Sequence, residues 1–102
     1  MWEYGYRSSF STSEASEIAR RLGIDFKNEK FDLEQFRMGL DVELEHGKRN
    51  YLTNVTDNDP ILTGKIALAH LLEIPDYYTR LAVLEKEGTE YWKNRNNEYP
   101  LF

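Results

Sequence analysis

Two short stretches bring together residue types that bind metal ions. Glu43-Leu44-Glu45-His46 sets a carboxylate and an imidazole three residues apart, and His70-Leu71-Leu72-Glu73 repeats the pair in reversed order. Positions i and i+3 share one face of a helix, with Cβ atoms about 5–6 Å apart. If the two helices run antiparallel, His46 faces His70 and Glu43 faces Glu73. Helices packed side by side have axes about 8–10 Å apart, so all four side chains can converge on one ion. Two imidazoles and two carboxylates suit zinc, iron or manganese, and carboxylate-bridged di-metal bundles use the same Glu-x-x-His element. Glu43, His46, His70 and Glu73 are therefore the candidate metal ligands. Glu45, Asp76 and Tyr77 are candidates for orienting or acid–base groups behind them. A di-metal centre also needs further carboxylates; Glu14, Glu17 and Glu85 are available, but nothing in their spacing singles them out.

A plainer reading of the same residues takes precedence, because in a chain with 18 acidic residues two such spacings arise by chance. His46, just before Gly47, suits a helix C-terminus, where an imidazolium complements the helix dipole. His70 and Glu73 then form a buried hydrogen-bonded pair that fixes their helix against its neighbours. In Tyr77-Tyr78 the expectation is that Tyr77 packs in the core with its hydroxyl at the rim and that Tyr78 is exposed. No residue is assigned a catalytic role. The sequence has no Gly-rich phosphate loop, nucleophile elbow or Ser/His/Asp ordering. It also has no cysteine, which removes thiol catalysis, Cys-based zinc sites and iron–sulfur clusters.

The elements that must position these residues are helical. Ser11 and Glu14 stand in capping-box spacing, Ala15, Ile18, Ala19 and Leu22 repeat at helical intervals, and Gly23 ends the helix. Asp32 and Gln35 open a second helix as another capping box, with Phe31 and Phe36 at the positions of a hydrophobic staple. Leu33, Phe36, Leu40 and Leu44 mark one of its faces, Met38 and Val42 the other, and Gly47 stops it. Residues 48–57 are polar and β-branched, a loop or at most a short strand. Asp59-Pro60 opens a third helix, the acid as cap and the proline at the first helical position. Ile61, Leu62, Ile66, Leu68, Ala69 and Leu72 surround that helix, which predicts that it is the buried centre. Pro75 forces Ile74 out of helical geometry and separates a fourth helix over 76–87, with Tyr77, Leu81 and Leu84 on one stripe and Gly88 at its end.

These elements predict an all-α fold, a compact irregular bundle of about four short helices in a single domain spanning 1–102. Its core covers about 10–88, flanked by aromatic-rich arms at 1–9 and 89–102. Acidic residues outnumber basic ones by 18 to 13, giving a formal charge of −5. That balance argues against nucleic-acid and anionic-membrane partners. The N-terminus lacks a basic start and an apolar run, so no signal peptide is expected, and no apolar stretch is long enough to span a bilayer. Ser16 to Ile24 looks like the first helix of a helix-turn-helix, but an acidic segment follows instead of a basic recognition helix. Asp57-Asn58-Asp59 starts like a calcium loop, yet Pro60 and the missing Gly and Glu exclude an EF-hand. Asn54-Val55-Thr56 is a sequon expected to be coincidental, since no secretion signal is expected.

The blocks Phe31 to Gly47 (FDLEQFRMGLDVELEHG) and Thr63 to Leu81 (TGKIALAHLLEIPDYYTRL) resemble a small prokaryotic and phage family of unknown function. The resemblance covers roughly residues 10–87. It implies a stand-alone cytoplasmic helical domain and lends no activity or ligand. It marks Glu43, Glu45, His46, His70, Glu73, Asp76 and Tyr77 as the family's recognisable polar positions. The expected role is a small non-catalytic accessory or protein-interaction domain, binding a protein partner or a second copy through its aromatic termini. A metal-binding protein or metal-dependent enzyme is the alternative.

Overall fold

A computed structural model describes residues 8–94. Among them are four α-helices: α1 (Thr12–Leu22), α2 (Leu33–Glu43), α3 (Pro60–Glu73) and α4 (Tyr77–Asn94). The 44–59 connection contains two short 3-10 turns and no strand. The expected all-α bundle is what forms. Of the terminal arms, residues 1–7 and 95–102 lie outside the described residues.

The caps form where the sequence places them. The Ser11 hydroxyl accepts from the Glu14 amide at 3.0 Å, and the Glu14 carboxylate accepts from the Ser11 amide at 2.9 Å. Gly23 takes a left-handed φ of 76°, which lets its amide and that of Ile24 close onto the last carbonyls of α1. Asp59 accepts from the Ile61 and Leu62 amides at 2.8 and 3.2 Å ahead of Pro60. The second capping box is only half made. Asp32 accepts from the Gln35 amide, but the Gln35 side chain turns away and donates to the Thr79 hydroxyl at 2.6 Å, tying the start of α2 to α4.

Ile18, Phe36, Leu40, Ala67, Leu71 and Tyr78 are the centre of the core, with α1, α2 and α3 packed on one another and α4 joined chiefly to α2. Truncating a fully buried ring such as Phe36 costs about 3–5 kcal/mol. Phe10 belongs to this core. Its amide donates to Asp41 at 2.7 Å, and Arg37, itself paired with Glu34 and Asp41, reaches the Phe10 carbonyl at 3.4 Å.

Several expectations are corrected. The third helix is not buried all round: Leu62, Ala69 and Leu72 are exposed, because α3 packs only through its Thr63, Gly64, Ala67 and Leu71 face. The fourth helix does not end near Gly88 but runs through it to Asn94. The second helix stops at Glu43 and tightens into the Leu44–His46 3-10 turn before Gly47. Nor do α2 and α3 run antiparallel. Gly64, early in α3, lies against Phe36, early in α2, while His70, late in α3, approaches Glu43, the last residue of α2. The two helices therefore run in the same general direction, and the 44–59 connection carries the chain back along the domain.

That return loop is well anchored. The Val55 and Thr56 amides both donate to the His46 carbonyl, at 2.6 and 3.2 Å. The buried Asn58 side chain accepts from the Lys48 amide at 2.8 Å. Asp57 and Asn58 take left-handed φ values of 55° and 63°, conformations that Asp and Asn tolerate better than most side chains. Tyr51, Leu52 and Val55 stand out into solvent from the loop.

Candidate functional site

Glu43 is the centre of the polar cluster. It falls on the buried stripe of α2, seven residues after Phe36 and three after Leu40, so helical periodicity aims its carboxylate inward with 3% of the residue exposed. Burying a carboxylate demands partners. The main one is Tyr78, whose hydroxyl donates to Glu43 Oε2 at 2.7 Å. Burial first, and then that hydrogen bond, push the Tyr78 hydroxyl well above the usual phenol range, so it stays a donor.

Gly39 is what lets this bond form. A Cβ there would collide with the Tyr78 ring, meeting Cζ at 2.9 Å and Cδ2 at 3.0 Å and Cε2 closer still. The ring lies close against the helix at the glycine and reaches one turn onward to Glu43. Tyr78 is therefore the residue missed by sequence reasoning: expected at the surface, it is buried, while Tyr77 packs on the edge of the core as expected. Tyr78 is buried, with 1% exposed, while Tyr77 is half-buried. A signal was present in the sequence: an interior helical glycine costs roughly 1 kcal/mol relative to alanine and marks a close approach.

Both histidines come to Glu43. A 3-10 turn has three residues per turn, so His46 stays stacked above Glu43, with Nε2 at 3.5 Å from Glu43 Oε1. The same nitrogen is 3.5 Å from Glu45 Oε1. From α3, His70 Nε2 stands 3.6 Å from Glu43 Oε2. The His70 ring is stacked on Tyr77, centroids 4.3 Å apart and planes 1° from parallel, and meets Tyr78 edge-on at 6.2 Å. Glu43 Oε1 is buried without a hydrogen-bond partner.

Of the four candidate ligands, Glu43, His46 and His70 are thus brought together and Glu73 is not. With α2 and α3 running in the same direction, Glu43 is level with His70, and Glu73 lies beyond the end of α2 in an exposed position. His46 and Glu43 do not face His70 and Glu73 as the antiparallel arrangement required. His70 and Glu73 also form no buried pair, since Glu73 is exposed. Among the supporting residues, Glu45 is beside His46 and Tyr77 backs His70. Asp76 is turned outward into an ion pair with Arg80 at 2.7 Å, which lowers its carboxyl below the usual range. Glu14 is committed to its capping box, Glu17 bonds Arg20 and Arg21, and Glu85 is exposed on α4. Among the described residues no three His, Asp or Glu side chains are already arranged to hold a metal ion.

His46 and Glu45 also border an open cleft of about 740 Å³ whose other walls are Lys48, Arg49, Asn50, Tyr51 and Thr53. A second surface is apolar. Past Leu81 the exposure of α4 rises: Leu84 is 63% exposed and Tyr91 50%, and Tyr91 and Trp92 pack edge-on against each other at 5.0 Å. No helix of the described residues is long and apolar enough to cross a membrane. Neither the curated proteins nor the solved structures contain a significant match to the chain. A family model described as a protein of unknown function, DUF5661, matches residues 15–87, and the chain belongs to that family.

Proposed function

We propose that the chain is a non-catalytic interaction domain that docks a helix of another polypeptide along the distal half of α4. The supporting observation is the continuation of one apolar stripe past the domain. Tyr77 and Leu81 are half-buried on the core, and Leu84 and Gly88 prolong the same face at three- and four-residue steps, with Leu84 63% exposed and nothing within 4 Å of a Cβ at Gly88. A stripe at that spacing is the pattern by which helices pair. An unpacked helical half of this length, with a glycine in the middle, is marginal by itself in water, so a partner that buries the stripe also stabilises it. A cytoplasmic setting in a bacterium or phage accompanies this reading, resting on the motif resemblance.

A second copy of the chain is the first partner to test. Light scattering at rising protein concentration should show the mass increasing toward a dimer, and Leu84→Glu should return it to a monomer with unchanged circular dichroism. A mass fixed at one chain, together with rapid amide exchange over 84–94 at every concentration, would remove the self-pairing form. If Leu84→Glu also left untouched the binding of every partner recovered with the protein, the docking role of α4 would fall.

A further inference from the structure

We infer that the cleft on the return loop binds a small phosphate ester with a planar base, a mononucleotide, its phosphate on Lys48 and Arg49 and its base on Tyr51. The described walls of the cleft all come from residues 45–53, and its volume of about 740 Å³ falls in the range of roughly 300–1,000 Å³ typical of small-molecule sites. From His46 to Thr56 the sequence has no acid, although the whole chain carries a formal charge of −5. The arginines show the contrast. Arg20, Arg21, Arg37 and Arg80 each bond a carboxylate three or four residues away. Among the described residues the Arg49 side chain has no such partner, and neither has that of Lys48. An unpaired guanidinium beside an unpaired ammonium suits a phosphate, which the guanidinium grips as a two-pronged fork.

The remaining walls match the other parts of a nucleotide. Tyr51 stands outside the apolar core with 84% of the residue exposed, and bases stack on such a ring. Glu45, the acid of the lining, repels a phosphate and so turns it toward Lys48 and Arg49, while its carboxylate can accept from the paired hydroxyls of a ribose. Asn50 Oδ1 is used within the loop, accepting from the Leu52 amide at 3.0 Å, which leaves the side-chain nitrogen to donate to a ligand. The cleft is also held in shape. The buried Asn58 side chain fixes the Lys48 amide, and it packs so closely on Gly47 that a Cβ there would collide with it. A wall fixed in advance loses little freedom when a ligand enters. None of these residues belongs to α4, so this site stands or falls independently of the docking stripe.

The experiment is a titration of the full chain with adenosine monophosphate, followed by amide NMR shifts and by calorimetry, with adenosine and inorganic phosphate titrated in parallel. The expected result is saturable binding of one nucleotide per chain, with the shifts centred on residues 45–53 and both fragments binding at least tenfold more weakly. Arg49→Ala and Tyr51→Ala should each weaken the nucleotide about tenfold or more. Both side chains are exposed, so circular dichroism should show the variants folded. Lys65→Ala removes one positive charge from α3 outside the cleft and should leave the affinity unchanged. A wild-type chain whose loop resonances do not move in a millimolar excess of the nucleotide overturns the proposal. So does binding that survives Arg49→Ala, or that Lys65→Ala weakens equally, which would mean diffuse attraction. Inorganic phosphate binding as tightly as the nucleotide, or a Tyr51→Ala variant with unchanged affinity, would overturn the assignment to a base-bearing ligand.

Discussion

Gly39→Ala should destabilise the domain by about 2–4 kcal/mol, although alanine is the better helix former. Taken alone, the substitution gains roughly 0.5–1 kcal/mol in a helix interior. Against that, the new Cβ would push into the side of the Tyr78 ring, meeting Cζ at 2.9 Å. The ring is 1% exposed and wedged among core residues, so it is not a flexible tip that can lean aside. Overpacking of this kind costs about 1–3 kcal/mol. Moving the ring also stretches the 2.7 Å bond from Tyr78 to Glu43, and a hydrogen bond to a charged group is worth about 1.5–3 kcal/mol. The two penalties outweigh the propensity gain. For a domain of this size the loss lowers Tm by on the order of 10–20 °C. Urea unfolding followed by circular dichroism measures it. Repeating the change in a Tyr78→Leu background, where the ring is gone, should turn the effect neutral or stabilising. A Gly39→Ala protein as stable as wild type, or an equal loss in both backgrounds, would refute the close approach of Tyr78 to α2.

Other expectations follow from the same geometry. Gly88→Ala should stabilise by up to about 1 kcal/mol in the same urea assay, because no atom lies within 4 Å of a Cβ there; a loss would mean that the face is already covered. Asp59→Ala should cost about 1–2 kcal/mol by removing the acceptor for the Ile61 and Leu62 amides, and a change near zero would show that water replaces the cap. Hydrogen bonds from Arg20 and Arg21 hold the Glu17 carboxyl down to about 2, against an ordinary 4.5. Whatever Glu17 adds to stability is therefore complete above about pH 4.5 and lost as pH falls toward about 2. Carbon-13 NMR titration of that carboxyl reads the midpoint, and one near the ordinary value would dismiss the pairing.

Local rules carried much of the architecture. Ser11, Gly23 and Asp59-Pro60 act within four residues of themselves, so their motifs are readable one at a time, and α1 and α3 begin, and α1 ends, where those residues say. The misreadings concern what lies across space. Apolar residues at Leu62 and Leu72 say that a helix is apolar but not which neighbours cover it. Gly88 has the residue type of a stop signal, yet helix interiors tolerate glycine at modest cost, and α4 continues through it. For the polar cluster, the i, i+3 spacings correctly placed His46 over Glu43 because that relation is local. The link from His70 to Glu43 depends on the direction of α3 relative to α2, which is set by the path of the 44–59 return and by no single motif. Tyr78 and Tyr77 are adjacent with the same chemistry, so only the gap at Gly39 decides which of them is buried.

The shared direction of α2 and α3 has a kinetic consequence. In an up-and-down bundle the first helical hairpin forms from neighbours joined by a short turn, and such local pairing folds fast. Here the pairing of α2 with α3 closes only after the chain has run back along the domain, and the Tyr78–Glu43 bond spans 35 residues. Gln35 and Thr79 are joined across 44. Each closure gives up loop entropy before any contact offsets it. The domain should therefore nucleate late and cooperatively, with α1, α2 and α3 docking together and the start of α4 sealing the assembly, at a rate nearer that of mixed α/β domains than of simple helical bundles.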